Sequence, residues 1–134
     1  MVGAIVITHG TLAESLVKVL KSIAGDVDMI KTVAVQENDT TEEISGILVK
    51  MVGTVDGGKG VIIFTDMLGG TPSNVALPLL KEGKVDIMAG VNLPVLLKFV
   101  NHRTDKGLGD LALLLKQSAR ESIVLASDVL NEKK

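Results

Sequence analysis

Cysteine, tryptophan and tyrosine are absent from this 134-residue chain, and Phe64 and Phe99 are its two aromatic side chains. Without cysteine there is no disulfide, no thiolate metal ligand and no thiol nucleophile, and the redox compartment is left open. Without stacking platforms, and with a formal net charge of -2, the chain lacks what nucleic-acid binders use on bases and phosphates, so no nucleic-acid partner is expected. No apolar run approaches the roughly 20 residues of a membrane-spanning helix. The start, MVGAIVITHG, has neither a basic region nor a small-residue cleavage site, and a cytoplasmic protein is expected. Hydrophobic residues make up 46% and charged residues 22%, ordinary for a globular chain, and the length suits one domain spanning residues 1–134.

Four short runs are almost continuously apolar: GAIVIT (3–8), MIKTVAV (29–35), GVIIFT (60–65) and VDIMAG (85–90). Continuous apolarity means that both faces are covered, as in a parallel sheet. Helical periods separate the runs. Leu12, Leu16, Val19, Leu20 and Ile23 fall on one face of a first helix, and Ile44, Ile47, Leu48 and Met51 on one face of a second. Thr11 with Glu14, and Thr40 with Glu43, fit capping boxes. A fourth helix follows Asn92, and Leu108, Leu111, Ala112 and Leu115 mark a fifth. The last apolar segment, SIVLA (122–126), reads as the end of helix five or as an edge strand, and periodicity does not choose. The alternation predicts an α/β fold with a doubly wound open sheet and right-handed crossovers.

In such sheets ligands bind beyond the carboxyl ends of strands where the strand order reverses. With the order 2-1-3-4, that point lies between the first and third strands. Their ends bring Thr8-His9-Gly10 and Thr65-Asp66-Met67 to one crevice. An aspartate that accepts a hydrogen bond from one imidazole nitrogen fixes the tautomer and leaves the other nitrogen free as a nucleophile. The following LGGTPSN (68–74) places two glycines before a new helix, with Thr71 suited to its N-cap and Pro72 to its first turn. Backbone amides at Gly69 and Gly70, with the helix N-terminus, form a phosphate cradle. His9 and Asp66 are therefore the expected catalytic pair, and Gly10, Met67, Gly69, Gly70, Thr71 and Ser73 the expected phosphate-binding set.

Each part has a plainer reading alone: a strand-end histidine is commonly structural, and a Gly-Gly turn is commonly only a turn. Their coincidence at one crevice favours chemistry. His102, in FVNHR, reads as structural near a helix C-terminus, and a metal site drawn from His9, Asp66 and His102 is not expected. GTVDGGKG (53–60) has the spacing of a phosphate-binding loop but precedes a strand and lacks the hydroxyl residue, so it reads as a turn. Pro78 falls inside the third helix, where the lost hydrogen bond predicts a kink or a short helix.

IVITHG, FTDMLGGTPSN (64–74) and AGVNLP (89–94) together resemble the enzyme IIA component of the mannose family of the sugar phosphotransferase system. The likeness spans nearly the whole chain. It implies a phosphohistidine carrier in which His9 accepts a phosphoryl group from phospho-HPr and passes it to a separate IIB protein for sugar uptake, with the membrane involved only through the transporter complex. It also implies that Asp66 hydrogen-bonds the histidine and that Thr71 helps hold the phosphate. It further implies a homodimer, in which SIVLA becomes a C-terminal antiparallel edge strand exchanged between subunits. No metal or cofactor is implied, because the donor is already activated. Two alternatives differ in chemistry: a stand-alone regulatory module switched by phosphorylation of His9 without sugar transport, and a receiver-like domain phosphorylated on Asp66. The second would need an acidic pair after strand one, where Thr8-His9-Gly10 stands.

Overall fold

The computed structural model describes residues 1–132; the final two residues of the expected 1–134 domain lie outside the described residues. The four apolar runs are strands β1 (Gly3–His9), β2 (Ile30–Val35), β3 (Val61–Thr65) and β4 (Val85–Ala89). They pair in the order β2-β1-β3-β4, all parallel. Between and after them run α1 (Leu12–Ala24), α2 (Thr41–Val55), α3 (Thr71–Ala76), α4 (Leu93–His102), α5 (Leu108–Glu121) and α6 (Ala126–Glu132).

The two-residue alternation of each strand sorts side chains between two cores. Ala4 and Val6 of β1, with Ile62 and Phe64 of β3, pack under α1, α4 and α5. Ile5, Ile7, Val61 and Ile63 pack under α2 and α3. Helices thus cover both faces, which is why the strand sequences are mostly apolar. Phe64 and Phe99 meet edge to face, ring centroids 5.7 Å apart.

Three local expectations are corrected. The buried face of α1 is Ala13, Val17 and Leu20, leaving Leu12, Val19 and Ile23 exposed. Both sets obey the helical period, and the phase is set by the strand end: the Thr8 hydroxyl accepts the Ala13 amide at 2.8 Å. The same bond replaces the Thr11–Glu14 capping box, since Thr11 makes no side-chain cap. Thr40 does accept the Glu43 amide, at 3.2 Å, and Asn92 the Val95 amide, at 2.9 Å. The N-cap of α3 is Gly70 rather than Thr71, and Pro72 sits in its first turn. The helix is short: it gives way to a 3₁₀ turn at Leu77–Leu79, around Pro78.

In the single chain, Ile123–Leu125 belongs to neither helix nor strand and lies between α5 and α6. The three side chains are exposed, Ile123 by 82%. Ser122, just before them, is tied to Asn92 by a 3.1 Å hydrogen bond. The end strand β4 borders a groove of about 510 Å³ that Met88, Leu113, Arg120 and Ile123 help to line.

At the opposite end of the strands, Arg103 is buried among main-chain carbonyls. Its Nε and Nη2 donate to Val2 O at 3.0 and 2.9 Å, and Nη1 donates to Asp28 O at 2.7 Å. The guanidinium also lies 4.8 Å from the centre of the Phe99 ring. Burial lowers its pKa against the opposing pull of Asp28, yet a guanidinium stays charged at any physiological pH. One side chain therefore joins α4 to the starts of β1 and β2. Arg103→Met is expected to lose roughly 2 to 3 kcal/mol in urea denaturation, because charged hydrogen bonds are removed and buried carbonyls are left bare. Arg103→Lys should recover only part of this, since an ammonium cannot span the carbonyls as the planar fork does.

Candidate functional site

The β1–β3 register builds the site. Ile7 pairs with Thr65, the last residue of β3, while β1 runs on beside β2 to His9, so Asp66 leaves the end of β3 next to the last residues of β1. Strand alternation turns Thr8 toward α1 and His9 toward α3. One carboxylate oxygen, Asp66 Oδ2, accepts both the His9 main-chain amide at 3.0 Å and the ring Nδ1 at 2.8 Å. The other, Oδ1, accepts the Met67 amide at 3.1 Å. Asp66 cannot donate while ionised, so Nδ1 carries the proton of this bond, and in the neutral imidazole Nε2 keeps its lone pair. The histidine side chain is 50% exposed and the aspartate 14%.

Burial pushes the Asp66 carboxyl upward. Hydrogen bonds from the His9 ring and amide, the His9 charge and its own neighbouring amide outweigh that, and hold it below the ordinary 3.8. The ring is thus held through Nδ1, and its Nε2 makes no hydrogen bond among the described residues.

The two glycines of the loop serve different ends. Gly69 has φ +85°, a conformation that side chains disfavour. Gly70 is extended, but a Cβ there would stand 2.7 Å from His9 Cε1 and 3.2 Å from Nε2. Its missing side chain is the space the imidazole occupies. Gly69, Gly70 and Thr71 donate their amides to no acceptor among the described residues.

The remaining members of the expected phosphate-binding set are already engaged. The Gly10 amide donates to Val35 O at 3.0 Å, the Met67 amide to Asp66, and the buried Ser73 hydroxyl to the Met67 carbonyl. His102 sits at the end of α4 beside Arg103, away from this crevice, with Asp105 Oδ2 3.5 Å from its Nδ1. No three His, Asp or Glu side chains among the described residues cluster as metal ligands. Two residues that sequence reasoning passed over are Thr8 and Thr65, both fully buried. The signal was present: IVIT and IIFT end alike, each with a hydroxyl just before His9 or Asp66.

The EIIA-man family, described as PTS system fructose IIA component, matches residues 3–114. The chain is 29% identical over 126 residues to the mannose-specific EIIAB component of Escherichia coli strain K12, covering 92% of this chain and 39% of that one. It thus spans about two fifths of that protein's length. It is 27% identical over 135 residues to the fructose-specific EIIA component of Bacillus subtilis strain 168, covering 100% of this chain and 92% of the relative. The crystal structure of phosphotransferase system component EIIA from Streptococcus agalactiae superimposes with a TM-score of 0.86 at 27% identity, covering 96% and 99% of the two chains.

Two measurements check this geometry. Gly70→Ala is expected to drive the ring from its seat, so that the imidazole ¹⁵N spectrum loses the signature of an Nδ1 proton held by a carboxylate. The pH dependence has a defined sign. Because the folded-state pKa of Asp66 is depressed, its stabilisation is complete above the ordinary carboxylate value of 3.8 and is lost as pH falls through the lower folded value. Asp66→Asn should therefore show a shallower acid-side loss of stability than the parent chain.

Proposed function

The chain belongs to the EIIA-man family, and from that premise we propose that it is a phosphohistidine carrier, accepting a phosphoryl group from phospho-HPr on His9 and passing it to a IIB partner for sugar uptake. One observation carries the reading: Asp66 holds the His9 ring by Nδ1, and Nε2 stands free beside the side-chain-less Gly70.

Nε2 attacks phosphorus with its lone pair. The bond from phosphorus to HPr breaks, and its electron pair leaves with HPr. The Nδ1 proton stays on the ring, whose new positive charge faces the Asp66 carboxylate. Amides of Gly69, Gly70 and Thr71 supply donors for the phosphoryl oxygens, with Thr71 adding its hydroxyl. The second transfer runs the same step in reverse toward IIB. The donor is already activated, so positioning and charge stabilisation are the work left to the protein. Asp66 is ill suited to be the phosphorylated group itself, since both its oxygens already accept hydrogen bonds. The phosphotransferase names of the similar proteins support a carrier rather than a stand-alone regulatory module.

The carrier works in the cytoplasm as a single domain over residues 1–134, and no helix among the described residues is long and apolar enough to cross a membrane. It pairs with a second copy by exchanging SIVLA (122–126) as an antiparallel strand on the free edge of β4. The exposed apolar side chains there, and the unpaired main chain of an end strand, support that pairing.

Incubation with phosphoenolpyruvate, enzyme I and HPr is expected to add one acid-labile phosphoryl group, located at His9 by mass spectrometry. Label retained by His9→Ala would overturn the reading. Asp66→Asn should slow transfer on the order of 100-fold, as a lost orienting contact does. Sedimentation should give a dimer that Val124→Asp converts to monomer, and a monomeric parent chain would remove the exchanged strand.

A further inference from the structure

We propose that Ser73 is a positioning residue for His9, holding Asp66 in place through the Met67 carbonyl, with Thr65 as the donor behind it; the proposal rests on the reading of His9 as the phosphoryl acceptor. Thr65 ends β3 and Ser73 lies in the first turn of α3. Both are fully buried, in surroundings otherwise almost wholly aliphatic, and their hydroxyls are 2.7 Å apart. The Ser73 hydroxyl also bonds the Met67 carbonyl. A carbonyl can only accept and a serine hydroxyl has one hydrogen, so Ser73 donates to Met67 and Thr65 must donate to Ser73. The relay has one direction, from strand to helix to loop.

Its end point brackets Asp66. Thr65, immediately before Asp66, is fixed through its own carbonyl, which accepts the Gly90 and Val91 amides at 2.9 and 3.0 Å. Met67, immediately after, is fixed through both peptide groups: its amide on Asp66 Oδ1 and its carbonyl on Ser73. Asp66 Oδ2 is then directed at His9. Side-chain packing does little to hold this loop, because Met67 and Leu68 are 54% and 70% exposed and Gly69 has no side chain. The Ser73 hydroxyl ties its middle to the helix. Two buried hydroxyls are tolerated in an apolar setting only when paired, and here the pairing terminates one residue from the group that sets the imidazole tautomer.

The ring reports on this without any phosphate present. In the unphosphorylated protein, at a pH where the imidazole is neutral, ¹⁵N spectra should show wild-type His9 as one tautomer protonated on Nδ1. Ser73→Ala should move the ring signals toward a tautomer mixture. It should also slow phosphoryl transfer from phospho-HPr roughly 10- to 100-fold in kcat, the scale of a misplaced catalytic group, with KM for phospho-HPr unchanged. Thr65→Val, nearly isosteric, leaves Ser73 its proton for Met67 and should show a smaller change in the same direction. A Ser73→Ala protein that is merely less stable, with the wild-type ring tautomer and turnover, overturns the proposal. Should that variant not fold, Ser73→Cys keeps the size with a weaker donor, and an unaltered ring there overturns it equally. A wild-type protein that takes no phosphoryl group refutes the carrier reading instead, a result distinct from the ring measurement.

Discussion

A single carboxylate oxygen, Asp66 Oδ2, accepts both the main chain and the ring of His9, and the site is organised around that double contact. Sheet register makes it possible. Ile7 and Thr65 are partners across β1 and β3, so Asp66 leaves β3 next to the last residues of β1, at the carboxyl edge where the strand order reverses. A slip of one residue would move His9 to the other face of the sheet, against α1. The alternating apolar side chains of both strands, sorted between two separate cores, are what forbid such a slip.

The two ends of the sheet carry different burdens. At the amino ends of the strands, Arg103 uses most of its donors on buried carbonyls and stacks near Phe99, a fixture of the scaffold with nothing exposed to a ligand. At the carboxyl ends, polar groups are spent locally on fixing a loop whose side chains face outward. The carboxyl end relies on hydrogen bonds with defined donors and acceptors, which constrain direction more than they add cohesion.

Much of this was legible in the residues. Continuous apolar runs located all four strands, and the order 2-1-3-4 put His9 and Asp66 in one crevice. Other features depend on information that a linear pattern does not hold. The phase of α1 was ambiguous because two overlapping sets of apolar residues obey the same period, and a buried bond from Thr8 decides between them. Ser73 looked like a phosphate ligand because it follows the diglycine. Its hydroxyl instead turns inward, to the Met67 carbonyl and the Thr65 hydroxyl. Arg103 gave no sign of burial, since its partners are carbonyls and any residue type supplies those. The fate of Ile123–Leu125 was open in the sequence, and in the single chain the segment joins no strand.

The shared oxygen has a consequence for how such a carrier would be recognised. A phosphoryl group on Nε2 would break neither the ring's bond to Asp66 nor the bond from the main-chain amide, so the scaffold would not need to rearrange between empty and charged states. Proteins that meet it could then tell the two apart only by the added anion itself, not by any altered contour of the surface around it.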